Sequence, residues 1–198
     1  MSLSPLSREA PFKYIRQAIK LFQQRNGKVI VEIGCIRQRF NHPIEQEPQD
    51  CPSRLDGHST VHFASTGAQF FSVDISKAHI NLAKELTAGH QNTIIQQIDG
   101  IKFLKNFFKP IDLLFLDAWD VEIPDSAERH LEAYEVAKKH MSPQGLILID
   151  DCDVGMVEGK LAPAVNLYGG KGEKVVPVAQ NEGWKVLMRG RCVLLSRQ

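Results

Sequence analysis

Val29-Ile-Val-Glu-Ile-Gly34, read together with Asp74 downstream, decides the fold. Val29, Ile30, Val31 and Ile33 suit a strand covered on both faces. Gly34 lets the backbone turn sharply and a ligand come close. A second short strand, Gln69-Phe-Phe-Ser-Val, ends in Asp74. An acid at that tip can accept both hydroxyls of a ribose, as in nucleotide-binding βαβ units. The two strand ends point to a ligand built on adenosine.

Outward from this unit the chain alternates. Strands are expected at 28–35, 69–74, 93–98, 111–117 and 145–150, and helices at 9–25, 77–88, 100–107 and 126–140. Such alternation implies parallel pairing with right-handed crossovers. Trp184–Met188 and Arg191–Leu195, separated by Arg189-Gly190, read as a terminal hairpin. A helix is expected to begin near Lys171, with Pro177 in its opening turns. Two long segments break the pattern. Residues 36–56 are polar, hold three prolines and show no period, so they read as an inserted loop. The insert splits a glycine-rich turn, with Gly34 before it and Gly57-His58-Ser59 after it. Residues 152–170 read as irregular.

Nicotinamide cofactors do not suit this chain. Their G-x-G-x-x-G loop seats a pyrophosphate, whereas Gly34 is followed by Cys35-Ile36-Arg37-Gln38 and the next glycine is Gly57. The phosphate-cradling P-loop pattern is absent as well. An adenosyl ligand without phosphates needs less glycine, which favours S-adenosylmethionine. With Val31-Glu32-Ile33-Gly34, Phe71-Ser72-Val73-Asp74, Ile98-Asp99-Gly100, Asp112-Leu-Leu-Phe-Leu-Asp117 and Gly145-Leu-Ile-Leu-Ile-Asp150-Asp151 in order, the chain resembles the class I S-adenosylmethionine-dependent methyltransferases. The pattern is most similar to the metal-dependent O-methyltransferases of the catechol and macrolide-sugar kinds.

That resemblance implies an α/β fold: a Rossmann-like, doubly wound, seven-stranded and mostly parallel sheet with a C-terminal antiparallel hairpin, in one domain over 1–198. It implies that Glu32 and Gly34, with Gly57 and Ser59 across the split turn, hold the amino-acid end of the cofactor. Asp74 would take the ribose, and Asp99 with the Gly100 backbone the adenine. Segments 36–56 and 152–170 would roof the acceptor pocket, the second as an active-site loop. The acceptor would be a small hydroxylated molecule.

Asp117 ends one strand, and Asp150 and Asp151 end the next. Neighbouring strand tips lie about 5 Å apart, so three carboxylates would converge. Such a cluster needs a cation or protons, and hard divalent ions take oxygen ligands. The resemblance implies magnesium or manganese on Asp117, Asp150 and Asp151, with Asp117 and Asp151 catalytic. The plain alternative is that these acids cap loops. The catechol type carries a lysine three residues beyond the first aspartate, where this chain has Asp120. His58, His130 and Lys171 are the candidate general bases. Aminopropyl transfer, and a non-catalytic ligand-binding or assembly module, are the competing readings.

The composition narrows the rest. A chain of 198 residues with 43% hydrophobic side chains suits one compact domain. Basic and acidic residues number 24 and 23, which gives no electrostatic footprint for nucleic acid or a membrane surface. No apolar run reaches the roughly 20 residues of a membrane span, and no signal peptide is evident. Cys35, Cys51, Cys152 and Cys192 form no C-x-x-C pair, so free thiols and a cytoplasmic setting are expected. A homodimer is compatible with all of this.

Overall fold

The structure, a computed structural model, describes residues 11–39 and 58–197. In chain order its first elements are α1 (Phe12–Gln24), β1 (Val29–Ile33), α2 (Ser59–Ala64), β2 (Gln69–Asp74), α3 (Lys77–Leu86), β3 (Thr93–Gln97) and α4 (Gly100–Lys105). Then come β4 (Ile111–Leu116), α5 (Ser126–Ala137), β5 (Met141–Ile149), β6 (Val154–Val157) and β7 (Lys160–Pro163). A 3-10 turn (Gly170–Gly172), α6 (Val175–Asn181), β8 (Lys185–Met188) and β9 (Val193–Ser196) complete the chain.

Seven strands form one sheet in the order β3-β2-β1-β4-β5-β9-β8. The pairs β1–β2, β2–β3, β1–β4 and β4–β5 are parallel, and β5–β9 and β8–β9 are antiparallel. This is the expected α/β, doubly wound sheet with its hairpin at one edge. Strand order reverses between β1 and β4, and open α/β sheets bind ligands at such a point, beyond the carboxyl ends of the strands.

The period of two along each strand sorts the core. Val29, Val31 and Ile33 of β1 join Leu114, Leu116, Ile147 and Ile149 in a cluster with Leu104, Tyr134 and Val176 of α4, α5 and α6. Ile30 points the other way, with Leu113, Phe115 and Leu148, onto Ile15 and Phe22 of α1 and Phe63 of α2. Each such side chain, fully buried, stabilises the fold by about 1.5–3 kcal/mol.

Three local features differ from the sequence reading. Residues 152–170 are not wholly irregular, because β6 and β7 pair as an antiparallel hairpin. Its turn residues, Glu158 and Gly159, both have positive φ (50° and 75°), the signature of a tight two-residue hairpin turn. Strand β5 begins at Met141 rather than at residue 145, with a register shift against β4 between Ile111 and Leu113. The helix expected from Lys171 is a 3-10 turn followed by α6, with Pro177 at the third position of α6. Most of the 36–56 insert, including Cys51, lies outside the described residues, as does Gly57. No helix among the described residues is long and apolar enough to cross a membrane.

Candidate functional site at the strand tips

A cleft opens at the tips of β1, β2 and β4. Gly34, Asp74, Asp99, Gly100, Asp117 and Trp119 line it, with Arg37 and Asp120 at one side. Gly34 has φ +91°, and a Cβ there would stand 2.5 Å from the Asp117 carbonyl oxygen. The β1 and β4 tips therefore meet backbone to backbone. Gly100 is equally confined, since a Cβ would collide with Ile33.

Asp74 and Asp99 both line this cleft, and both also serve the local backbone. Asp74 Oδ1 accepts from Ser76 N at 2.7 Å, while Oδ2 accepts from Cys35 N at 3.3 Å and faces His79 Nδ1 at 3.3 Å. Asp99 caps α4, accepting from Lys102 N at 2.9 Å.

Two residues expected at the ligand, Glu32 and Ser59, do not line this cleft. The alternation of β1 turns Glu32 away from the cleft and toward α2. Its carboxylate is fully buried and accepts from Ser59 Oγ (2.6 Å), Thr60 Oγ1 (2.8 Å) and Ser72 Oγ (2.5 Å). Burial pushes the Glu32 carboxyl up to about 7, although the three hydroxyls pull the other way. Ser59 is thus a partner of Glu32, not of the cleft. Thr60 Oγ1 also accepts from Ile36 N at 2.9 Å. Through Thr60, Glu32 fixes the backbone that follows Gly34.

Asp117, Asp150 and Asp151 do converge, with one oxygen of each within 4.8 Å of the others. Two protein cations lie among them. Lys171, wholly buried, places Nζ 2.5 Å from Asp117 Oδ1 and 2.9 Å from Asp151 Oδ2. Burial alone would lower the Lys171 ammonium, but Asp117, Asp151 and Asp150 hold it above its ordinary value. It is a proton-bearing cation, which removes it from the candidate general bases. Arg191 clasps Asp150, with Nε to Oδ1 and Nη2 to Oδ2 both at 3.1 Å. Cys192 Sγ donates to Asp150 Oδ1 at 3.0 Å. Every carboxylate of the cluster already faces a cation, so the donor set does not fit a divalent ion as it lies. Burial raises Asp117 as well, with Lys171 opposing.

The loop after β4 is held in a strained shape. Trp119 has φ 45°, a region that costs non-glycine residues about 1–3 kcal/mol, and Asp151, just after β5, shares it with φ 49°. Ser126 Oγ donates to the Trp119 carbonyl at 2.6 Å, and the His130 ring meets the Trp119 ring edge-on at 5.2 Å. His130 donates from Nδ1 to the Ser126 carbonyl at 2.7 Å, and burial pushes its imidazole down to about 3. It is a structural neutral ring. His58 is buried too and does not line the cleft.

Asp120 forms a two-point pair with Arg37, with both N–O distances 2.8 Å. Burial works against that carboxylate, and Arg37 outweighs it and holds Asp120 below its ordinary range. Burial raises the Cys35 and Cys152 thiols, so both stay protonated and act as packing groups. Arg37, Arg191 and the Thr60 and Ser72 hydroxyls on Glu32 were not singled out from sequence. Arg191 was within reach: a terminal hairpin pairing antiparallel with β5 must bring the start of β9 to the end of β5.

No protein-family model and no curated protein matches the chain. Solved structures do. The N-methyltransferase NodS from Bradyrhizobium japonicum WM9 matches with TM-score 0.58 and 16% identity over 93% of each chain. An O-methyltransferase from Bacillus cereus, in complex with SAH, matches with TM-score 0.56 and 16% identity over 97% of this chain and 84% of that one. A methyltransferase from Geobacter sulfurreducens matches with TM-score 0.58 and 13% identity over 94% and 78%. The chain has the class I methyltransferase fold.

Proposed function

We propose that the chain is an S-adenosylmethionine-dependent methyltransferase acting on an oxygen of a small hydroxylated acceptor. The carrying observation is the cleft at the β1–β4 switch point, with Gly34 and Asp74 on one side and Asp117 on the other. The residues suit an adenosyl ligand. Asp74 Oδ1 accepts only one bond among the described residues, and a carboxylate oxygen has two lone pairs, so a ribose hydroxyl can be received there. Asp99 and the Gly100 backbone border the place for the base. No pyrophosphate loop is present to favour a dinucleotide.

When bound, S-adenosylmethionine supplies a methyl group on a positively charged sulfur. The chain's own task is alignment of the acceptor oxygen with that carbon, which is where proximity gives most of its rate. Asp117 borders the cleft and would there take the proton that the acceptor oxygen gives up. Asp151 lies beside it and shares its Lys171 partner. An amine acceptor is the second reading, because three carboxylates face two cations and the remaining negative charge suits a cationic substrate.

Calorimetry with the demethylated product S-adenosylhomocysteine, and with NAD as control, tests the first half. Binding of the former is expected, weakened in Asp74→Ala by about 1.5–3 kcal/mol, as for hydrogen bonds to a charged group. Tight NAD binding with no response to the adenosyl ligand would sink the proposal. Methyl transfer to a panel of catechols, phenols, hydroxylated sugars and amines then separates the two acceptor readings.

A further inference from the structure

We propose that Lys171 stands in for the divalent cation expected at the strand-tip carboxylates, so that this site is neutralised from within and takes no metal ion. The oxygens of Asp117, Asp150 and Asp151 are close enough to chelate, within 4.8 Å of one another. The position a divalent ion would need is taken. Such an ion sits about 2.0–2.6 Å from each ligating oxygen. The Lys171 ammonium is already 2.5 Å from Asp117 Oδ1 and 2.9 Å from Asp151 Oδ2. The two cations would overlap and repel. Asp150 offers no substitute, because both its oxygens are engaged by Arg191.

The ammonium is held there by its backbone. Gly170 has φ +45°, and a Cβ on it would collide with the Asp151 carbonyl. Gly169 N donates to the Cys152 carbonyl at 2.8 Å. The 3-10 turn is thus pressed onto the backbone that carries Asp151, and Lys171 enters from it with no exposed surface. Withdrawing Lys171 would remove the ammonium that Asp117 and Asp151 share and leave Asp151 the more distant Arg191, at 3.8 Å, the costly half of a broken pair in a mostly buried cluster. For the reaction, the consequence is that no Lewis acid lowers the acceptor's pKa. The acceptor must be acidic enough alone, as a phenol is, or lose its proton to Asp117. This last step rests on the proposed function, whereas the metal measurement needs neither cofactor nor acceptor.

The test is a Mn2+ titration of the full chain, followed by calorimetry and by the electron paramagnetic resonance of free Mn2+. The wild type should show no saturable site up to millimolar ion and no shift in Tm. Lys171→Met, matched in length and lacking the charge, should bind Mn2+ about a hundredfold more tightly than wild type. Adding Asp117→Asn to it should remove that gain. One equivalent of Mn2+ bound by the wild type at micromolar ion would overturn the proposal, and so would a folded Lys171→Met with no gain. If Lys171→Met does not fold, the wild-type titration still decides. Adenosyl-ligand binding on the same samples reports the proposed function separately.

Discussion

The Glu32 carboxyl meets three hydroxyls and no solvent. That setting makes one residue a source of pH dependence. Its ordinary value is 4.5, and burial raises it to about 7 in the fold. Between these values the folded chain keeps a proton that the unfolded chain has released. The stabilisation is complete below 4.5, declines as pH rises through the window, and is gone above about 7. The loss is about 3 kcal/mol for a shift of this size. Glu32→Gln keeps an acceptor for the hydroxyls and cannot titrate. Its urea-unfolding free energy should fall less steeply than that of the wild type between pH 4.5 and 7. Parallel curves would mean that the carboxylate is ionised throughout. Asp74 was legible in the sequence because a strand-end acid followed by a helix start has few places to go. Glu32 is expected at the ligand because it neighbours Gly34, yet it does not line the cleft. The strand period alone turns Glu32 to the opposite face from Val31 and Ile33.

Among the elements, the 3-10 turn at Gly170–Gly172 fixes more than its length suggests. Gly170→Ala forces a Cβ into the Asp151 carbonyl at a left-handed φ, at a cost of about 1–3 kcal/mol. The expected outcome is a lower midpoint in urea together with faster amide exchange across β6, which packs on this turn, and its partner β7. Unchanged exchange there would show that the turn moves independently of the hairpin. These parts were hard to see in advance. β6 and β7 are four residues each, too short for a period to register, and their only sign was Glu158-Gly159. Lys171 meets Asp117 across 54 residues, and Arg191 meets Asp150 across 41. No local spacing encodes such pairs. The strands and helices, by contrast, were legible to within a few residues because each carries its own apolar period.

At the scale of the whole molecule, the order of the sheet follows from alternation and crossover handedness, and the cleft follows from where that order reverses. The electrostatics join its two halves. Arg191, 4% exposed, ties the antiparallel edge to the tip of β5 through Asp150. Arg191→Ala would strand a buried carboxylate, which costs about 3–5 kcal/mol. Chemical denaturation should show that loss, with the hairpin amides exchanging first. A change below about 1 kcal/mol, the range of an exposed pair, would mean that water reaches Asp150.

The position of β9 has a consequence for biosynthesis. β9 lies between β5 and β8, although β8 precedes it in the chain. As the polypeptide emerges from the ribosome, β8 has no neighbour to join until Val193–Ser196 has been made. Until then β5, apolar and flanked on both sides in the finished sheet, presents an open edge of unpaired amides and carbonyls. That nascent stage is the interval of greatest exposure to edge-to-edge association, and it closes only when one late strand slides into place and completes both pairings at once.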